Sequence, residues 1–257
     1  MAVIELKSVG EIAAMREAGR VVAAVHAAVR EQAAVGVSLA RLDEVARTVI
    51  EEARAGASFL GYHPAFGATP YPGVICTSVN GVMLHGLPSP YRLRDGDLIS
   101  VDCGAYVDGW HADGTVSFTI GEPREEDLKL IKVAEETLAA GIKAAVPGGR
   151  MGDIGHAMST IGRGAGYGMQ NDFGGHGIGR AMHESPFVPN EARGGRGLLL
   201  RPGLVIAIEP SLIAGGGDGY YMADDGWSVC SADGSRSVHV EHTVAVTADG
   251  PVVLTLP

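Results

Sequence analysis

The chain has 257 residues, of which 46% are hydrophobic and 19% charged, and its formal net charge is −10. That length and composition allow one large domain or two small ones around a sizeable core, and the acidic balance argues against general affinity for nucleic acid or anionic membrane. Three cysteines (Cys76, Cys103 and Cys230) make no disulfide framework and read as reduced thiols of a cytoplasmic protein, while residues 1–7 carry no signal pattern and no apolar run is long enough to span a bilayer.

Ser8-x-x-Glu11 is a capping box. Ile12, Met15, Val22, Val25 and Val29 then recur at helical spacing and predict a helix over 8–34. A second helix is expected over 38–55, with Leu42, Val45, Ala46 and Val49 inward and Gly56 as its stop. The glycine- and proline-rich stretch 61–73 reads as loop. Strand-like segments follow at 74–79, 98–107 and 111–120. The order then repeats. Residues 125–143 are helical with Leu128, Ile131, Ala134, Leu138 and Ile142 on one stripe, and Pro147-Gly148-Gly149 breaks the pattern. A weaker helix runs over 151–162 through Ile154, Met158 and Ile161, and strands follow at 204–209, 220–231 and 237–246. Two helices then strands, twice over and without a linker, predict one α+β domain over 1–257 with two related halves, about 8–120 and 123–250.

Carboxylates interrupt several of the apolar segments. Asp102 breaks the run 98–103, Glu209 ends Val205-Ile206-Ala207-Ile208, and Glu241 sits within 238–244. Burying such groups is costly unless they are paired or bind metal. With Asp113 and His176 they make an oxygen-rich donor set with one nitrogen, which suits a pair of divalent ions better than a structural zinc. Asp108-Gly109 is a two-residue hairpin signal. With the turn there, Val107 pairs with Trp110, Asp102 falls opposite Thr115, and Asp113 falls opposite Gly104. Asp102 and Asp113 then share a sheet face as diagonal neighbours, roughly 7–8 Å apart. Two ions about 3.5–4 Å apart fit between such groups. Taken singly, each residue has an ordinary reading: a solvent-facing strand Asp, a solvated Glu at a strand end, a His in a glycine-rich turn.

Taken together, the motifs resemble those of the bacterial type I methionine aminopeptidases over about residues 8–253. Asp102 followed eleven residues later by Asp113, Gly175-His176-Gly177-Ile178-Gly179, Ile208-Glu209-Pro210 and Val240-Glu241-His242-Thr243 occur in the family's order and spacing. The resemblance implies the "pita-bread" fold, with two pseudo-symmetric halves around a central antiparallel sheet. It implies Asp102, Asp113, His176, Glu209 and Glu241 as ligands of two divalent ions (cobalt, manganese, iron or zinc), with Asp113 and Glu241 bridging. It further implies catalytic roles for His85, His183 and Glu209, and a methionine pocket formed by Tyr62, Tyr71, Cys76, His85, Met182, His183 and Trp227. The expected partners are peptide and nascent-chain N-termini, with the ribosome as a further partner of a cytoplasmic monomer, and no direct nucleic acid or membrane contact. Met1-Ala2 resembles the family's own substrate, so the chain is expected to begin at Ala2 in its native cell. Three departures bear on the pocket: a long loop at 64–70, Phe59 where some members have a small residue, and Met182 where an aromatic is common. The rivals are an Xaa-Pro peptidase with the same metal core, which usually carries a large extra N-terminal domain, a type II methionine aminopeptidase, and a pita-bread protein that only binds partners. Glu209 and Glu241 are 32 residues apart, too close for the type II insertion; the retained ligand set disfavours the binding-only form.

Overall fold

Ser8 caps helix α1 (Val9–Gln32) as a true capping box, its side chain accepting from the Glu11 N–H while Glu11 accepts from the Ser8 N–H. Met15, Val22, Val25 and Val29 are buried, as the spacing predicts. Helix α2 (Leu39–Glu52) ends before Gly56, at Ala53 and the left-handed Arg54. Gly56 instead opens strand β1 (Gly56–Ala57), where a Cβ would stand 2.0 Å from Cζ of Tyr106 on the neighbouring strand. The computed structural model describes residues 4–64 and 69–257. Residues 1–3, which include the Met1-Ala2 start, and 65–68 of the 64–70 loop lie outside the described residues.

Strands β2 (Cys76–Val79), β3 (Val82–Leu84), β4 (Leu98–Val107) and β5 (Trp110–Thr119) follow. Asp108 and Gly109 both have positive φ, which the tight β4–β5 turn requires. The register is the one counted from the sequence: Val107 with Trp110, Gly104 with Asp113, Asp102 with Thr115. Helices α3 (Glu125–Ala144) and α4 (Met151–Gly164) come next. The inward stripe of α3 is rotated from the predicted one, with Leu130, Val133, Ala134 and Leu138 buried and Leu128 47% exposed. Leu130, Val133, Ala134 and Leu138 pack into the core, and Asp127 on the same side of the helix pairs with Arg236.

The remaining strands are β6 (Gly168–Met169), β7 (Gly175–Gly177), β8 (Glu184–Val188), β9 (Val205–Ile208), β10 (Ser211–Ile213), β11 (Tyr220–Met222), β12 (Val229–Ser231), β13 (Ser237–His239), β14 (Glu241–Thr247) and β15 (Gly250–Val253). The predicted strand 220–231 is the hairpin β11–β12, and 237–246 is divided at Val240 into β13 and β14. The main antiparallel sheet runs β1-β4-β5-β14-β9-β7-β8, with β2 beside β4 and β15 beside β14. One core packs α1 and α2 on this sheet through Val22, Leu42 and Ile99, and another packs α3 and α4 through Leu130, Met158 and Ile206. This is the expected α+β architecture. Its two cores meet where β5 pairs with β14, and there Thr115 faces Glu241.

Candidate active site

All five predicted ligands line one cavity of about 260 Å³. β4 and β5 deliver Asp102 and Asp113 as diagonal neighbours, and β14 brings Glu241 beside them. β7 carries His176, and Glu209 follows β9. Asp113, His176 and Glu241 form the tightest group, each offering a donor atom within 4.8 Å of the others. His176 Nε2 stands 3.5 Å from Glu209 Oε1 and 3.9 Å from Asp113 Oδ2. Its Nδ1 lies 2.9 Å from the Gly177 carbonyl, so an N–H there leaves Nε2 free for a ligand. The supporting bonds are just as specific. Thr115 Oγ1 donates to Glu241 Oε2 at 2.9 Å, and the Asp113 N–H donates to Thr243 Oγ1 at 2.8 Å.

This group fits a divalent ion. Asp102 Oδ1 and Glu241 Oε1 are buried with no hydrogen-bond partner, an arrangement that costs free energy unless a cation satisfies it. Burial, then the neighbouring carboxylates, push Asp113 and Glu241 well above the usual carboxylate range. Burial raises Asp102 to about 6, with His239 opposing and Glu209 adding to the shift. For Glu209, burial also works against the charge, but contact with His239 and His176 outweighs it and holds the carboxyl below its ordinary range. A cation among these oxygens inverts the local balance and favours the ionised forms.

The opposite side of the cavity is aromatic. Tyr71 meets Trp227 edge-on with ring centroids 4.9 Å apart, and Phe59 meets Tyr71 at 6.3 Å. Cys76, Tyr62, His85 and His183 complete the expected lining. Tyr62 lies 5.0 Å from the His183 ring, and His183 lies 4.2 Å from the His176 ring. Burial lowers His85 to about 4 and His183 to about 3, so both imidazoles are neutral at neutral pH. His85 holds a left-handed backbone (φ 56°), a strained conformation that aims its ring inward.

Met182 is the one expected pocket residue that the cavity lining does not include. It is buried in the cluster behind, with Phe59, Trp110 and Ile178, while Phe59 takes the surface in front of it. Phe173, Phe187, Asp172, Leu84 and His239 also line the cavity and were not predicted. A signal for His239 existed, because it stands two residues before Glu241 in a strand-like segment and therefore on the same face.

The fold and this donor set define a metallopeptidase, and the chain belongs to metallopeptidase family M24, whose sequence pattern matches residues 13–248. Its full-length relatives place it with the type I methionine aminopeptidases. It is 48% identical over 261 residues to "Methionine aminopeptidase 1" of Mycobacterium tuberculosis, covering 99% of this chain and 96% of that one. It superposes on the crystal structure of methionine aminopeptidase from Thermotoga maritima with a TM-score of 0.95 at 34% identity, covering 99% of this chain and 100% of that chain. The prolidase from Pyrococcus furiosus shares the fold alone, with a TM-score of 0.76 at 22% identity over 98% of this chain and 65% of that chain.

Proposed function

We propose that this protein removes the N-terminal methionine from peptides and nascent chains that have a small second residue. The observation that carries the reading is the single cavity in which five metal-type donors face an aromatic pocket. Asp102, Asp113, His176, Glu209 and Glu241 would hold a pair of divalent ions. When bound, the pair supplies an activated water at neutral pH and polarises the scissile carbonyl. Glu209, kept ionised by its histidine neighbours, takes the proton and passes it to the leaving amine. His183, neutral, donates a hydrogen bond to the carbonyl oxygen as charge develops there. His85 orients the departing nitrogen. Tyr62, Tyr71, Cys76 and Trp227 receive the methionine side chain, with Phe59 in the wall and Met182 packed behind it.

The donor chemistry admits cobalt, manganese, iron or zinc. The chain acts as one catalytic domain over 1–257, as a cytoplasmic monomer that meets its substrates at or near the ribosome. Among the described residues, no helix is long and apolar enough to cross a membrane. The test is elemental analysis of natively purified protein, then chelation and restoration of each metal, with hydrolysis of Met-Ala-Ser compared with an Xaa-Pro peptide. Metal-dependent release of methionine from Met-Ala-Ser is the expected result. Preferential cleavage of the Xaa-Pro peptide would overturn the assignment in favour of a proline-directed enzyme.

A further inference from the structure

We propose that His239 is a second nitrogen ligand of the metal centre, bound to the ion that Glu209 holds. The inference rests on the metallopeptidase reading above and adds a donor to it. His239 ends β13, is 4% exposed and lines the same cavity as the five other donors. Its Nε2 is buried with no hydrogen-bond partner and stands 3.6 Å from Glu209 Oε2. The other oxygen of that carboxylate, Oε1, stands 3.5 Å from His176 Nε2. Each carboxylate oxygen of Glu209 therefore has an imidazole nitrogen at a nearly equal distance.

Neither separation is a normal hydrogen bond, since N–H···O distances end near about 3.2 Å. Both suit two donors on a shared ion. With metal–nitrogen and metal–oxygen lengths of about 2.1 Å and the 90–120° angles of a five- or six-coordinate ion, neighbouring donor atoms stand roughly 3.0–3.6 Å apart. The ordinary alternative is a core histidine. Such a residue satisfies its buried ring nitrogens with protein partners, and here Nε2 faces the cavity without one. The backbone behind it is fixed on both sides. The His239 N–H donates to Ser100 Oγ at 3.1 Å, and its carbonyl accepts from Ser117 Oγ at 2.7 Å. Its Cα partner in the sheet is Ser211 on β10. A ring presented from so constrained a strand end is pre-placed for coordination.

A second imidazole changes what the site prefers. Four carboxylates and one nitrogen make a hard site open to manganese, whereas two nitrogens move the balance toward iron, cobalt and zinc. The experiment loads metal-free wild type and His239→Gln with cobalt(II), and reads binding by titration, the visible d–d bands and the proton NMR spectrum. Wild type is expected to show two solvent-exchangeable, hyperfine-shifted imidazole N–H signals, from His176 and His239. His239→Gln should lose one signal, move its bands to longer wavelength as an oxygen donor replaces nitrogen, and bind cobalt at least about tenfold more weakly. If the variant does not fold, the wild-type signal count decides alone. One signal from cobalt-loaded wild type overturns the proposal and leaves the five-ligand centre standing, with His239 then a hydrogen-bond donor to Glu209. Wild type that takes up no cobalt overturns both.

Discussion

The acidic floor and the aromatic wall of the cavity face each other, yet they are held by opposite forces. Asp102, Asp113 and Glu241 lie on the floor against their own electrostatics, each shifted upward by burial. Tyr71 and Trp227 in the wall bury apolar surface and meet edge-on at 4.9 Å, an arrangement that contributes about 0.5–1.5 kcal/mol beyond its area. The wall therefore stabilises the fold whether or not a ligand is present, and the floor does so only with cations. Substitutions should separate the two. Floor changes should remove chemistry while relieving the metal-free protein, and wall changes should weaken the fold while leaving metal binding alone.

The largest effect belongs to Glu209. Replacing it with Gln removes the proposed base while keeping the size of the side chain. Turnover of Met-Ala-Ser should fall by about 10²–10⁴-fold, while the protein stays folded in thermal unfolding. Activity that survived the change would put the base elsewhere and break the floor's claim to the chemistry.

Asp102→Asn tests the cost of the floor directly. Asp102 titrates near 6 in the fold against an ordinary value of 3.8, so over that interval the folded chain holds a proton that the unfolded chain has released. Stability therefore falls as pH rises through this window. The penalty is absent well below 3.8 and complete above about 7. A shift of about two units corresponds to ~3 kcal/mol. Metal-free Asp102→Asn should exceed wild type by up to that amount at pH 8 in denaturant unfolding, and the advantage should fade toward pH 4. Equal or lower stability at pH 8 would show that the floor is not under electrostatic load.

The same contrast governs how much could be read from the sequence. The Asp102–Asp113 pair was legible because a two-residue turn at Asp108-Gly109 sets the register of both strands within one short segment. Glu241 was not placed by that count, because its contact with Thr115 spans 126 residues; only the family resemblance linked them. The stripe of α3 differs from the spacing for a similar reason, since its buried face is chosen by distant partners, among them Arg236, which meets Asp127 across 109 residues. In the wall the difficulty is chemical. An apolar residue reads the same whether it faces a pocket or backs it, so nothing local distinguished Met182 behind from Phe59 in front. His239 belongs to none of the family's motifs, although its spacing from Glu241 marks the shared face.

The smallest effect is the one that tests whether floor and wall are independent. Tyr71 is buried, and burial pushes its phenol well above the ordinary range, so it stays protonated and acts as a donor. Its hydroxyl lies 2.9 Å from the Gly86 carbonyl and 3.1 Å from that of Ile75. Those carbonyls flank His85 and Cys76 in sequence, so one hydroxyl ties the wall to two lining segments. Tyr71→Phe keeps the ring against Trp227 and loses this tie together with the hydroxyl's contact to the Cys76 thiol. Gly86 keeps another partner, because its carbonyl also accepts the Thr77 N–H at 2.7 Å. The expected cost is thus at the low end for a buried hydrogen bond, about 1 kcal/mol in unfolding free energy. A rise in KM for Met-Ala-Ser should accompany it as His85 and Cys76 loosen, with kcat nearly unchanged and cobalt affinity the same as wild type. If cobalt affinity fell in step with stability, the wall would be setting the geometry of the floor through the Cys76–Asp102 strand pairing, and the two faces would have to be treated as one cooperative unit.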